Sequence, residues 1–203
     1  MHKSAMRRMK WFVENYIPKD KKVKVLDVGS YNVNGSYRQL FNGSQVEYVG
    51  LDLSKGPNVD FIPKDPYSWN ELPDESFDFI ISGNAFEHIE YPWLTIKEIY
   101  KKLKPEGFAC ILTPFALGEH RYPTDCYRYY SDGFKALAKW GGFKIVEVTV
   151  GGIPKEGADA EWSNTSENYD DTMMVIAKTD NEAKLMALPR FNKENRINKW
   201  TLK

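Results

Sequence analysis

The sequence predicts a doubly wound α/β fold, in which a mostly parallel sheet lies between two layers of helices. Three observations predict it. An apolar strand at residues 23–28 runs into a glycine-bearing turn at Gly29. A second apolar strand, 46–51, ends at Asp52, about twenty residues later, where dinucleotide-type folds place the acid that binds ribose hydroxyls. Beyond it, strand patterns alternate with helical ones.

Each element follows from its local pattern. Apolar residues at helical spacing that stop at a proline or at glycines predict helices at 6–17, 35–41, 93–103 and 132–140. Short apolar runs predict strands at 23–28, 46–51, 59–62, 77–82, 108–113, 143–150 and 172–177. The connection before the last strand contains no predicted helix, so this strand is expected to be antiparallel. The expected architecture is thus a Rossmann-like, seven-stranded sheet in three α-β-α layers.

Length and composition limit the classes of function. With 203 residues, we expect one domain over 1–178, its helix at 1–18 covering the cofactor side, and an extension or tail at 179–203. The 28 basic and 28 acidic residues give zero net charge, which argues against nucleic-acid binding. No segment has the roughly 20 apolar residues of a membrane helix, and we expect a cytoplasmic protein that does not bind membranes.

The first turn differs from the loop that binds a pyrophosphate. That loop has the spacing Gly-x-Gly-x-x-Gly, whereas here five residues separate Gly29 from Gly35. The chain keeps an acid at the position that binds ribose hydroxyls, Asp52, but lacks the pyrophosphate loop. This combination indicates a ligand that contains adenosine and no pyrophosphate. S-adenosylmethionine fits that description.

Four motifs in this order resemble those of the class I S-adenosylmethionine-dependent methyltransferases, and more narrowly of the small bacterial methyltransferase type 11 group. They are Leu-Asp-Val-Gly-Ser-Tyr at 26–31, Val-Gly-Leu-Asp-Leu at 49–53, Ser-Phe-Asp-Phe-Ile-Ile-Ser-Gly-Asn-Ala-Phe-Glu-His-Ile at 76–89, and Leu-Lys-Pro-Glu-Gly-Phe-Ala-Cys-Ile-Leu-Thr-Pro at 103–114. The resemblance covers about 21–177 and departs from the family at 30, 31 and 34, within the first loop. It implies S-adenosylmethionine as the cofactor, with S-adenosylhomocysteine as the product.

The expected cofactor residues lie at the carboxyl ends of the strands, where such sheets bind ligands. They are Asp27, Gly29, Ser30, Gly35, Asp52, Leu53, Asp65, Pro66, Ser82, Gly83 and Asn84. Asp52 would accept hydrogen bonds from the ribose, and Leu53 would pack on the adenine. Asp27 would orient the loop and could face the cofactor's ammonium group. Alternatively, backbone amides of its own turn satisfy its carboxylate. Asp65 would accept from the adenine amino group or simply mark a turn before Pro66.

Two histidines are candidate general bases, because an imidazole is matched to accepting a proton near pH 7. His88 follows the fourth predicted strand, and His120 lies in a loop at 118–130 that also holds two arginines and four tyrosines. For His88, the alternative is a structural histidine at a helix start. The expected acceptor-binding residues of this loop are Arg121, Tyr122, Asp125, Arg128 and Tyr129. A self-packed lid is the alternative for the loop. No metal is expected, because no ligand-spacing signature is present.

The expected function is transfer of a methyl group to a small molecule. O-methylation of a phosphorylated, nucleotide-linked or glycan-related metabolite is favoured because of the two loop arginines. The alternatives are N-methylation and a non-catalytic methyltransferase-like binding protein. A nicotinamide-dependent oxidoreductase or epimerase is disfavoured, because the pyrophosphate loop is missing. A monomer or homodimer is expected.

Overall fold

The computed structural model of the chain describes residues 3–43, 45–151, 153–154, 162–163, 171–179, 181 and 185. The helices are α1 (Lys3–Tyr16), α2 (Pro92–Lys102) and α3 (Ser131–Gly141), with short 3-10 helices at Tyr37–Phe41 and Phe86–His88. The strands are β1 (Val23–Val28), β2 (Val46–Leu51), β3 (Phe77–Gly83), β4 (Leu103–Pro114), β5 (Lys144–Val150), β6 (Ile153–Pro154), β7 (Trp162–Ser163) and β8 (Asp171–Ala177).

Six strands form one sheet in the order β2-β1-β3-β4-β8-β5. β1 pairs in parallel with β2 and β3, and β3 pairs in parallel with β4. β8 is antiparallel to both of its neighbours, β4 and β5. The predicted fold class, with its antiparallel last strand, is therefore confirmed. The carboxyl ends of β1 and β3 lie side by side, which positions the candidate site.

The segment at 59–62 differs from the prediction, because it is not a strand of this sheet. It makes a single bridge, between Leu51 and Phe61. Two features explain this. Asn58 has a left-handed φ of 71°, and the side chain of Asp60 accepts the Gly50 amide at 2.7 Å. The segment thus folds back on the end of β2 instead of extending beside it, and the described part of the main sheet has six strands rather than seven.

The sheet divides the core into two layers, because successive strand residues point to opposite faces. Val25 belongs to the cluster under α1, whereas Leu26 belongs to the cluster under α2 and α3. On the first face, Phe12 of α1 packs edge-on against Phe79 of β3, with ring centroids 6.3 Å apart. The arrangement is the predicted three-layer α-β-α sandwich.

The N-terminal helix packs on the face that also carries the 3-10 helix Tyr37–Phe41. It is anchored by Arg8, which is 1% exposed and donates to the carbonyl of Gly151 at 2.6 Å. At the other end of the chain, Leu185 is buried in the same core. The rest of the predicted tail from residue 180 onward, Asn181 apart, lies outside the described residues. Within the described part, no helix is both long and apolar enough to cross a membrane.

Candidate active site

An open cavity of about 440 Å³, counting the solvent at its mouth, lies at the carboxyl ends of β1 and β3. Its walls come from the loop after β1, from Tyr37 at the start of the 3-10 helix, and from the end of β3. The lining residues are Asp27, Gly29, Ser30, Tyr31, Val33, Asn34, Gly35, Ser36, Tyr37, Gly83 and Asn84.

The loop after β1 turns sharply because Gly29 adopts a φ of +80°. The amides of Gly29 and Ser30 both donate to the Leu51 carbonyl, at 2.9 and 3.0 Å, which ties this loop to the end of β2. A Cβ on Gly29 would collide with the Cβ of Ala85. The loop backbone therefore approaches the end of β3 more closely than any other residue type would allow.

Asp27 is the buried acid of the cavity, with 2% of its surface exposed. Its Oδ2 accepts a hydrogen bond from the Tyr48 hydroxyl, whereas its Oδ1 has no partner among the described residues. Burial raises the pKa of Asp27 to about 7, although the Tyr48 hydrogen bond opposes this; the nearby charge of Asp52 raises it further. A cationic group in the cavity would favour the ionised form.

Two more polar atoms of the cavity wall are buried without partners. They are the hydroxyl of Tyr37 and the Oδ1 atom of Asn84. Each unpaired buried polar atom costs about 1–3 kcal/mol. Together with Oδ1 of Asp27, three such atoms surround one cavity, and a ligand with matching donors and acceptors would relieve this cost.

Asp52 lies beside the cavity but does not line it. Its carboxylate accepts three backbone amides, from Tyr31 at 3.0 Å, Leu53 at 2.7 Å and Ser54 at 3.2 Å. An ionised carboxylate has about four acceptor positions, so capacity for a further donor remains. The neighbouring Leu53 is 57% exposed and thus free to pack against a ligand.

Three of the expected cofactor residues, Asp65, Pro66 and Ser82, lie outside the lining of the cavity. Asp65 and Pro66 are exposed, and Oδ1 of Asp65 accepts the Tyr67 amide at 2.7 Å, which is the turn alternative for this acid. Ser82 is fully buried, and its hydroxyl donates to the Val28 carbonyl at 2.8 Å.

The two candidate bases meet beyond the end of β3. The rings of His88 and His120 cross nearly at right angles, with centroids 4.8 Å apart. His88 Nδ1 lies 2.6 Å from the Thr124 carbonyl, which can only accept, so Nδ1 carries the proton and Nε2 is the free acceptor. Burial lowers the pKa of His88 and keeps the ring neutral near pH 7. Glu87 is buried beside it, and burial raises the pKa of Glu87 to about 8.

The loop after β4 is held together mainly by Arg128 and Asp125. The guanidinium group donates to both carboxylate oxygens, at 2.6 and 2.8 Å, and also to the carbonyls of Leu117 and Gly118. The hydrogen bonds from Arg128 hold the pKa of Asp125 well below its usual range. Both side chains, expected to bind an acceptor, are thus largely occupied within the loop.

The remaining loop residues separate into exposed and buried groups. Arg121 is 73% exposed at its side chain and donates to the carboxylate of Glu119, also exposed, at 3.0 Å; Tyr122 is 54% exposed. Arg121 and Asp125 also line a second cavity of about 470 Å³ with residues 123, 124 and 126. Tyr129, in contrast, is 7% exposed and stacks on Phe134, so it belongs to the core rather than to the loop surface.

Five residues that line the cavity are not among the expected site residues: Tyr31, Val33, Asn34, Ser36 and Tyr37. Glu87, which is buried beside the histidine pair, is not among the expected site residues either. A signal for Tyr37 is visible only in hindsight, because Gly83 has no side chain where the Tyr37 ring lies.

Comparison with known proteins agrees with this geometry. A family model described as a methyltransferase domain matches residues 1–148. An S-adenosylmethionine-dependent methyltransferase from Archaeoglobus fulgidus superimposes with a TM-score of 0.60 at 19% identity, covering 85% of this chain and 94% of that one. A 1,6-didemethyltoxoflavin N1-methyltransferase from Burkholderia thailandensis, solved with S-adenosylhomocysteine, gives 0.64 at 17% identity, covering 87% and 79%.

The [4+2]-cyclase SpnF gives a TM-score of 0.63 at 17% identity, covering 86% of this chain and 81% of that one. At such identities the likeness shows the fold alone, and no curated protein sequence matches the chain. The family is shown by the domain match, which spans residues 1–148 and thus β1–β4, the cavity and both histidines of the candidate site. The chain therefore belongs to the methyltransferase domain family, as an S-adenosylmethionine-dependent class I methyltransferase.

Proposed function

We propose that this enzyme methylates a hydroxyl oxygen of a small molecule that carries a phosphate or another anionic group, such as a phosphorylated, nucleotide-linked or glycan-related metabolite. The observation that carries the proposal is the cavity at β1 and β3, with its three unpartnered polar atoms, together with the pair of His88 and His120 beyond the end of β3. The first feature suits the cofactor, and the second suits an acceptor that must lose a proton.

The residues of the cavity match the polar groups of S-adenosylmethionine. Oδ1 of Asp27 and Oδ1 of Asn84 are free acceptors for its ammonium group. The Tyr37 hydroxyl can donate to its carboxylate, and Asp52 keeps acceptor capacity for its ribose. When bound, the cofactor supplies a methyl group that its sulfonium has already activated, so the protein's task is positioning and proton removal.

The histidine pair supplies the proton acceptor. His88 lies four residues after Asn84, so the cavity wall and the pair follow one another on the same connection. Nε2 of His88 has its lone pair available, because Nδ1 is fixed as the donor. His120 is the more accessible of the two, with 39% of its side chain exposed. General base catalysis by such a group contributes typically about 10²–10⁴-fold in rate.

Arg121 is the residue that favours an anionic acceptor. Its guanidinium group is exposed above the second cavity, and its partner, Glu119, is itself exposed. Such an ion pair contributes little, about 0–1 kcal/mol, and exchanges readily for a phosphate that binds two guanidinium nitrogens. An amine acceptor remains the alternative, and one structural neighbour is an N1-methyltransferase.

Calorimetric titration of S-adenosylmethionine, S-adenosylhomocysteine and, as a control, NAD into the purified protein tests the cofactor part. We expect the first two to bind and NAD to remain unbound. Asp52→Asn should weaken binding, whereas Asp132→Asn, at an exposed acid of α3, should leave it unchanged. Equal affinities of Asp52→Asn and the wild type would remove Asp52 from the site.

A screen of phosphorylated sugars and nucleotide-linked metabolites by mass spectrometry tests the acceptor part. We expect a product heavier by one methylene unit, formed more slowly by Arg121→Ala through a higher KM. Methylation of amines alone would favour the N-methyl alternative, and failure to bind the cofactor would favour a non-catalytic protein. The cytoplasmic location, the single domain at 1–178 and the monomeric or homodimeric state stay predictions.

A further inference from the structure

Glu87, His88 and His120 bring three metal-binding side chains to one place beyond the end of β3. One ligand atom from each lies within 4.8 Å of the other two. Glu87 and His88 belong to the 3-10 helix Phe86–His88, and His120 reaches them from the loop after β4. We propose that these three residues bind a divalent transition-metal ion.

Glu87 is the first reason for this assignment. Its side chain is fully buried, and neither carboxylate oxygen has a hydrogen-bond partner among the described residues. Nε2 of His88 lies 3.8 Å from Oε1 of Glu87, beyond hydrogen-bond distance. Buried carboxylates are normally paired with a cation, coordinate a metal or carry a proton. A metal ion between Glu87 and His88 would supply the missing partner.

His88 is already oriented as metal-binding histidines are. Its Nδ1 donates to the Thr124 carbonyl at 2.6 Å, and the Thr124 hydroxyl donates to the His88 carbonyl at 2.8 Å. Metal-bound histidines almost always donate their other ring N–H to a carbonyl or carboxylate, which fixes the tautomer and the ring orientation. Nε2 of His88 is therefore held with its lone pair toward Glu87.

His120 completes the set, and its surroundings are balanced in charge. Its amide donates to Oδ2 of Asp125 at 2.7 Å, which fixes the loop at this residue. Nη2 of Arg128 lies 3.3 Å from Nδ1 of His120, but both oxygens of Asp125 pair with this guanidinium group. Asp125 thus compensates most of the positive charge of Arg128, although that charge also acts on Glu87, and the carboxyl group of Glu87 lies beside the two imidazoles without a hydrogen-bond partner among the described residues.

Two imidazoles and one carboxylate favour Zn²⁺, Fe²⁺, Co²⁺ or Mn²⁺ over Mg²⁺ and Ca²⁺, which prefer oxygen ligands. Three protein ligands also leave open positions on the ion. The proposal that an ion binds here is independent of the proposed function. The role of the ion in catalysis, in contrast, rests on that function. An ion here would hold the acceptor hydroxyl and lower its pKa, the proton would leave to solvent, and the histidines would act as ligands rather than as bases.

The test is a titration of tag-free, chelator-treated protein with Co²⁺, followed by its visible ligand-field absorption and by displacement with Zn²⁺. We expect one ion per chain. His120→Ala, His88→Ala and Glu87→Gln should each weaken binding at least about tenfold, because losing even an outer partner of a metal ligand costs this much. Glu119→Gln, next to His120 and exposed, and His2→Ala, the remaining histidine, are the matched controls and should bind like the wild type.

No binding by the wild type, or equal binding by His120→Ala and the wild type, would overturn the proposal. Cofactor affinity of every variant, measured by calorimetry, serves as the check on folding, since the three ligands do not line the cavity. Methyl transfer that persists at full rate in chelator, by a protein that binds no ion, would overturn the metal site and leave the proposed function intact. Loss of cofactor binding by the wild type would contradict the proposed function without affecting the metal titration.

Discussion

Asp27→Asn is the change whose effect the structure predicts in most detail. Asp27 is buried at the wall of the cavity, and burial raises its pKa from the ordinary value of 3.8 to about 7. Asparagine has nearly the same shape and can still accept the hydrogen bond of Tyr48. The substitution therefore removes the titration while preserving most of the packing.

The sign and the size of the effect follow from the two pKa values. Between about pH 4 and about pH 7 the native state holds a proton that the unfolded chain has released, so the free energy of unfolding falls as pH rises. A difference of about three pKa units corresponds to about 4 kcal/mol, since each unit is worth about 1.4 kcal/mol. This contribution is fully present below about pH 4, is lost by about pH 7, and stays lost above it.

The assay is urea unfolding of the wild type and Asp27→Asn at a series of pH values from about 4 to about 8. Other groups titrate in both proteins, so the difference between the two curves isolates Asp27. We expect Asp27→Asn to gain up to about 4 kcal/mol relative to the wild type across this interval. A difference that does not change with pH would refute the reasoning, because it would mean that Asp27 has the same pKa in both states.

Two further predictions concern the cavity and the loop. Gly83→Ala places a Cβ against the Tyr37 ring and hydroxyl, so we expect a loss of about 1–3 kcal/mol in unfolding free energy together with weaker cofactor binding in calorimetry. Gly43→Ala, where nothing lies within 4 Å, is its control, and equal effects would contradict the packing argument. Arg128→Lys cannot pair with both oxygens of Asp125 and should expose the loop to protease without unfolding the sheet. Unchanged cleavage by the protease would show that the paired hydrogen bonds from Arg128 to Asp125 are not needed to hold the loop.

The fold was predictable because buried strands need apolar residues, and runs of apolar residues are visible in the sequence. Parallel strands buried on both faces are apolar runs, and β1, β3 and β4 were found this way. The segment at 59–62 has an equally apolar pattern, but Asn58 and Asp60 bond to the β1 loop and to Gly50. Those are tertiary contacts, which no local pattern contains.

The candidate site was predictable to a smaller extent. The rule that ligands bind at the carboxyl ends of strands located Asp27, Gly29, Gly83 and Asn84 at the cavity. It could not tell which polar side chains are already satisfied. Arg128, for example, looks from the sequence like a free phosphate ligand, and only its contacts show that the loop itself uses the guanidinium group.

The unpartnered polar atoms at the cavity wall cost stability in the free protein, and a ligand with matching groups would offset that cost. Elsewhere, the buried charge of Lys102 is paired: its Nζ donates at 2.7 Å to both the Leu72 carbonyl and Asp74. At the cavity, in contrast, Asp27 and Tyr37 keep unpartnered atoms. Ionised Asp27 destabilises the free protein near neutral pH, and it is the same ionised form that would pair with an ammonium group. Cofactor affinity should therefore rise with pH up to about pH 7, over the interval in which the wild type loses stability, and level off above it.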